Sequence, residues 1–228
     1  MRKKSIIYLA LICFTYLITL SFKILVKPPQ GFVYIKDYIP DIILDIRYAG
    51  TDNFVGQPVD GYLKPVGIMS LEATTALQNV QTELKEQNLG LKVFDAYRPQ
   101  MAVDHFVRWA KNLDDTLTKQ KYYPHIEKSN LFKLQYIASK SGHSRGSTID
   151  LTLIDQKGME LDMGTSWDYF GPESWPSSTA VSMEAQNNRK ILQGIMIKHG
   201  FQPYQEEWWH FTLKKEPYPN TYFNFYIE

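Results

Sequence analysis

Apolar positions along this chain follow two periods, and the places where each period holds mark the elements. "SLEATTALQNVQTELKEQNLG", Ser70–Gly90, carries Leu71, Ala76, Leu77, Val80 and Leu84 as an apolar stripe, with Ser70 placed as N-cap and Gly90 as the stop. "LKVFDAYRP" then reads as a short strand ending at Pro99, and Met101, Val103, Phe106, Val107 and Trp109 predict a helix from about Pro99 to Lys111. Further helices are expected over Asn130–Lys140 and Met183–His199, the second with Ile191, Leu192, Ile195 and Met196 on its apolar side and Gly200 as its stop. A period of two takes over at "STIDLTL" and again at "EEWWHFTL", which read as strands. "FVYIKDYIPDIILDIRY", Phe32–Tyr48, mixes short alternations with a proline and suits edge strands.

Two turn-rich stretches interrupt these elements, Thr51–Pro65 and Asp155–Ser178, and both are studded with aromatics. A loop as long as the second, inside a compact domain, is usually functional.

The first thirty residues are patterned differently. Arg2, Lys3 and Lys4 precede an uncharged run from Ser5 to Phe22, which as a helix would cover ~27 Å against a ~30 Å bilayer core. Residues 1–30 are therefore expected to be a signal or membrane-anchor segment with a short "KPPQG" spacer, and residues 31–228 the functional domain. No small-x-small cleavage site follows, which favours an uncleaved anchor. The positive-inside pattern then predicts one N-terminal pass with the domain outside the cytoplasm, or a secreted or periplasmic domain if the segment is cleaved.

Composition narrows the function. With 25 Lys+Arg against 24 Asp+Glu, the formal net charge is +1, so nucleic acid is not an expected partner. Fifteen tyrosines, twelve phenylalanines and five tryptophans favour a packed fold with a well-walled pocket. The one cysteine, Cys13, lies in the apolar run, so any metal in the domain must be held by histidine and carboxylate.

"SGHSRGSTIDLTL" and "EEWWH" supply that chemistry. The alternation of Ile149, Leu151 and Leu153 with Asp150 turns Asp150 to the opposite face, and Gly142 and Gly146 allow a bend that brings His143 back over it. In the last strand His210 shares a face with Trp208 and Thr212, so it can project toward the same pocket. Two histidines and one carboxylate suffice for Zn²⁺ with a fourth position left for water. Glu207, three residues before His210, is placed to move a proton, and Arg98 in "DAYRP", with Asp95 as orienting partner, to stabilise an oxyanion. Taken singly, each of these residues is more often structural; their joint pattern is what points to a hydrolytic site. His105, His125 and His199 lack such a context and are read as structural or exposed.

The two segments resemble the Ser-x-His-x6-Asp and Glu-x-x-His signatures of the zinc D-alanyl-D-alanine dipeptidases. "DNFVGQPVDGY", "DAYRPQMAVDHFVRW" and "SMEAQNNRKIL" extend the likeness over Tyr48 to Leu213. The resemblance implies an α+β fold like that of Hedgehog-type D,D-peptidases, with a central mainly antiparallel sheet flanked by helices. It implies one zinc on His143, Asp150 and His210, Glu207 as general base and acid, and Arg98 at the transition state. It further implies contacts from Ser141, Tyr48 and Tyr62 to a small D,D-dipeptide, whose free ammonium would meet Asp168. A buried carboxylate is the natural receptor for such an amine. Because the short signatures are shared with D,D-carboxypeptidases, removal of the terminal D-Ala from peptidoglycan stem peptides is the alternative activity. A non-catalytic, zinc-retaining wall-binding module is the third reading. The apolar N-terminal segment is a departure from the family's cytoplasmic members that act in vancomycin resistance.

Overall fold

The computed structural model describes residues 27–228. In chain order they form β1 (Phe32–Tyr34), the one-turn helix α1 (Ile35–Tyr38), β2 (Ile43–Leu44), β3 (Ile68–Ser70), α2 (Leu71–Glu86), β4 (Leu89–Asp95) and α3 (Gln100–Lys111). There follow the one-turn α4 (Lys119–Tyr122), β5 (Thr148–Asp155), α5 (Met183–Lys198), β6 (Phe201–Tyr204) and β7 (Glu207–Leu213). The main sheet runs β2-β4-β5-β7-β6, antiparallel except for the β2–β4 pair, while β1 and β3 form a separate antiparallel ribbon. Helix α2 packs on β4 and α5 on β5, β6 and β7, giving the expected α+β class with helices against a mainly antiparallel sheet.

Caps fix the long helices where the sequence places them. The Ser70 and Ser182 hydroxyls accept from the backbone N–H groups of Ala73 and Ala185, at 3.4 and 3.0 Å, and satisfy donors the helices leave open. Gly200 ends α5 in a left-handed conformation (φ 91°), as read. Gly90 does not end α2: Asn88 takes the left-handed position (φ 61°), and Gly90 already lies in β4. Asparagine tolerates that conformation, which frees the strand to begin earlier.

Register, more than strand count, builds the site. Asp95 stands opposite Asp150, and Asp150 opposite His210. Directly opposed residues on neighbouring strands project to the same side, so three polar residues from β4, β5 and β7 form one row across the sheet. The ladder shifts between Val93 and Asp95, making Phe94 the extra residue of a bulge. Without that bulge, Phe94 would face Asp150. The apolar alternation of β5 is fully used, with Ile149, Leu151 and Leu153 all inaccessible to solvent.

Three expectations are corrected. The edge-strand reading of Phe32–Tyr48 holds only for β1 and β2, which lie at sheet edges: between them the chain makes one helical turn, closed by Ile39 N–H donating to Ile35 C=O at 2.8 Å. Burying Ile35, Ile39 and Ile42 together requires that turn, because an extended chain would separate them. Asn130–Lys140 is not a helix; a 3-10 turn at Lys128–Asn130 leads into an irregular segment with Gln135 at φ 63°. Leu131 and Ile137 are buried while Leu134 is exposed, and Tyr136 stacks on Phe170 at 4.9 Å, so packing overrides helical periodicity.

The third correction concerns the membrane. The anchor read at Ser5–Phe22 lies outside the described residues, and among those described no helix is long and apolar enough to cross a bilayer. The expected N-terminal pass with the domain outside the cytoplasm is therefore not upheld.

Candidate active site

A 3-10 turn at Gly142–Arg145 carries His143 into the sheet's polar row. The Ser141 hydroxyl accepts from His143 N–H at 3.3 Å, and Gly146 leaves the turn at φ 82°, where a β-carbon would collide with the Phe32 ring. The buried His143 ring is oriented by Nδ1, which lies 2.7 Å from Ala96 C=O. A carbonyl only accepts, so Nδ1 carries the proton and Nε2 presents its lone pair.

Two further potential ligand atoms stand beside it. His143 Nε2 is 3.3 Å from Asp150 Oδ1 and 3.3 Å from His210 Nδ1, and His210 Nδ1 is 3.1 Å from Asp150 Oδ1. Asp150 Oδ1 is buried without a hydrogen-bond partner, an orphan that a cation would satisfy. A tetrahedral shell with ~2.0–2.1 Å bonds has edges of about 3.3 Å, so the three donors already stand at zinc-ligand separations.

Around the triangle stand the groups that could move charge. Glu207, the first residue of β7, places Oε2 3.3 Å from His210 Nδ1. Arg98 follows the end of β4 and is clamped by Asp95: its Nε and one terminal nitrogen donate to Asp95 Oδ2 at 2.9 and 2.8 Å. Burial works against the guanidinium's charge, but Tyr48 and Asp95 overcome it and hold its pKa well above the usual value. The fixed cation leans toward Asp150 Oδ2 at 3.6 Å and lies over the Tyr48 ring at 5.1 Å.

Asp168 closes the other side. It is a buried non-glycine residue in the left-handed region (φ 58°), a conformation costing of order 1 kcal/mol that aspartate tolerates better than most. Its Oδ2 accepts from the Tyr48 hydroxyl at 2.6 Å. Burial, then the negative charge of Asp150, pushes the Asp168 carboxyl well above the ordinary range. Such a group is short of a cation.

The cavity between these groups measures about 230 Å³ and is lined by Tyr48, Arg98, Ser141, Asp168, Glu207 and His210 among others. It is below the ~300–1,000 Å³ typical of drug-sized sites, which suits a very small ligand. Tyr62 is placed differently from the other expected contacts. Its hydroxyl donates to Asp95 at 2.6 Å, behind Arg98, and does not line the cavity. Sequence reasoning missed the aromatic walls, Phe54, Phe106, Tyr136, Phe170 and Tyr204, because aromatics distant in sequence carry no period that marks a shared wall. His105 and His199 sit away from the cavity: His105 Nδ1 accepts from Asp60 N–H, and His199 pairs with Glu83.

The family model described as D-Ala-D-Ala dipeptidase, peptidase M15, matches residues 29–228. The chain belongs to that family. It is 43% identical over 199 residues to the D-alanyl-D-alanine dipeptidase of Enterococcus faecalis, covering 87% of this chain and 98% of the relative. The enzyme of the same name from Enterococcus faecium is 39% identical over the same shares of both chains. That of Streptomyces coelicolor is 43% identical, covering 86% of this chain and 98% of its own. Membership makes the protein a metallopeptidase, and the His143–Asp150–His210 triangle is where, among the described residues, three such donors converge.

Proposed function

We propose that the protein is a zinc dipeptidase that hydrolyses D-Ala-D-Ala to two D-alanines. The observation that carries this reading is the triangle of His143 Nε2, Asp150 Oδ1 and His210 Nδ1 beside a cavity with a buried, cation-seeking Asp168. A zinc ion on these three atoms would acidify a water and polarise the scissile carbonyl.

The chain's own residues do the rest. Asp168, oriented by Tyr48, receives the substrate ammonium and sets how far the dipeptide enters. Glu207 takes the proton of the attacking water as its oxygen bonds to the carbonyl carbon. It then delivers that proton to the amine nitrogen as the C–N bond breaks. Arg98, immobilised by Asp95, faces the oxygen that gains negative charge. Tyr62 supports that arginine through Asp95, and Ser141 lines the wall next to the zinc turn, in reach of the substrate.

The carboxypeptidase alternative needs room for a long acyl chain where the free amine would sit. A buried Asp168 with one hydroxyl partner is poor lining for such a chain. In an assay of D-alanine release, the purified chain should cleave D-Ala-D-Ala and leave N-acetyl-D-Ala-D-Ala nearly untouched. Glu207→Ala should lose turnover by at least ~10³-fold while one zinc per chain remains. Faster cleavage of the acylated substrate, or turnover retained in Glu207→Ala, would sink the reading.

A further inference from the structure

Trp167 precedes Asp168 in the loop between β5 and α5, and both side chains reach the site from consecutive positions. We propose that Trp167 is a positioning residue of the metal centre: its indole N–H holds one oxygen of Asp150 so that the other faces the two imidazoles. The inference rests on the zinc reading and adds to it the group that orients the carboxylate ligand.

Trp167 Nε1 lies 3.3 Å from Asp150 Oδ2, while Oδ1 is the oxygen turned toward His143 and His210. A carboxylate rotates about its last bond with little resistance, so a fixed donor on one oxygen decides which oxygen serves the metal. Arg98 is the other donor near Oδ2, at 3.6 Å, but it is committed to Asp95 and is needed at the developing oxyanion. The indole has no such second duty. Its ring is fixed, buried in a stack with Phe94 at 5.5 Å and against Tyr48 at 4.9 Å. Burial alone does not account for the contact, because the buried indoles of Trp109 and Trp209 leave their N–H groups without an acceptor. Through Tyr48, whose hydroxyl binds Asp168, the same loop joins the metal ligand to the amine receptor.

Trp167→Phe keeps an aromatic ring and removes the N–H. Zinc affinity is measured by competition with a chromophoric chelator, beside the visible spectrum of the cobalt(II)-substituted protein and the melting temperature of the zinc-free protein. The wild type should bind one zinc, and the variant should bind it about 10-fold more weakly, with altered cobalt bands; the smaller ring also lowers the zinc-free melting temperature, a loss that the shape-preserving benzothienylalanine at position 167 should not show. Equal zinc affinity and an identical cobalt spectrum overturn the proposal. If Trp167→Phe does not fold, benzothienylalanine at position 167, the same shape with sulfur in place of N–H, decides by the same two outcomes. A wild-type chain that binds no zinc overturns the zinc reading itself, and this inference with it.

Discussion

His210 shows how one residue can set the pH range of a metal site. Burial opposes its protonation, but the carboxylates of Asp150 and Glu207 prevail and raise its pKa to about 9 in the metal-free protein. The folded value exceeds the unfolded ~6.5, so protonated His210 contributes stability that is fully present below pH ~6.5 and is lost as pH rises through about 9. With zinc held as proposed, metal and proton would compete for the same Nδ1, so zinc affinity should move in the opposite direction. Between pH 6.5 and 7.5 it should rise by up to about tenfold, with close to one proton released per zinc. Calorimetric titrations in buffers of different ionisation enthalpy count that proton; affinity independent of pH over this interval contradicts the assignment. Asp168 makes a separate prediction. Asp168→Asn keeps a partner for the Tyr48 hydroxyl and removes the negative charge, so kcat/KM for D-Ala-D-Ala should fall about 10- to 100-fold, mainly through KM.

At the scale of elements, the turn and the bulge place what the strands carry. Gly146→Ala should destabilise the protein by about 2–3 kcal/mol, through left-handed strain and the clash with Phe32, lowering the melting temperature by roughly 5–10 °C. Calorimetry checks this, and an unchanged melting temperature would mean that the turn can relax around a methyl group. The need for a glycine bend before β5 was legible, since His143 cannot share a regular strand face with Asp150. So was the projection of Asp150 and His210, because a period of two assigns faces without knowledge of neighbours. Strand pairing was not legible, and neither was the Phe94 bulge that brings Asp95 opposite Asp150; both depend on which strands meet. Asp95 could be named as the partner of Arg98, three residues away, but not as part of a row across the sheet. The helix read at Asn130–Lys140 failed for a related reason. Its apolar residues answer to Phe170 and the cavity wall, contacts that no local period records.

For the molecule as a whole, the question is how far the fold depends on its metal. The proposed ligands come from a 3-10 turn and two adjacent central strands, all joined to one buried core that runs from Phe32 to Ile227. A core of this extent does not need zinc to exist, unlike a metal-nucleated finger whose apolar residues are too few. Zinc held as proposed would nonetheless bind only where the three elements are assembled, so it would stabilise the folded state by mass action, by about 2.7 kcal/mol at a free concentration 100 times Kd. For a domain of this size that corresponds to roughly 5–11 °C in melting temperature. Chelation should therefore leave the far-ultraviolet circular dichroism at 25 °C unchanged while lowering the melting temperature by that amount, and added zinc should restore it. The loss should be smaller in His210→Ala, whose zinc-free form already lacks one ligand and binds metal weakly. A chelated wild-type chain that is unfolded at 25 °C would show that the sheet's polar row, with its orphaned Asp150 oxygen, outweighs the apolar core that surrounds it.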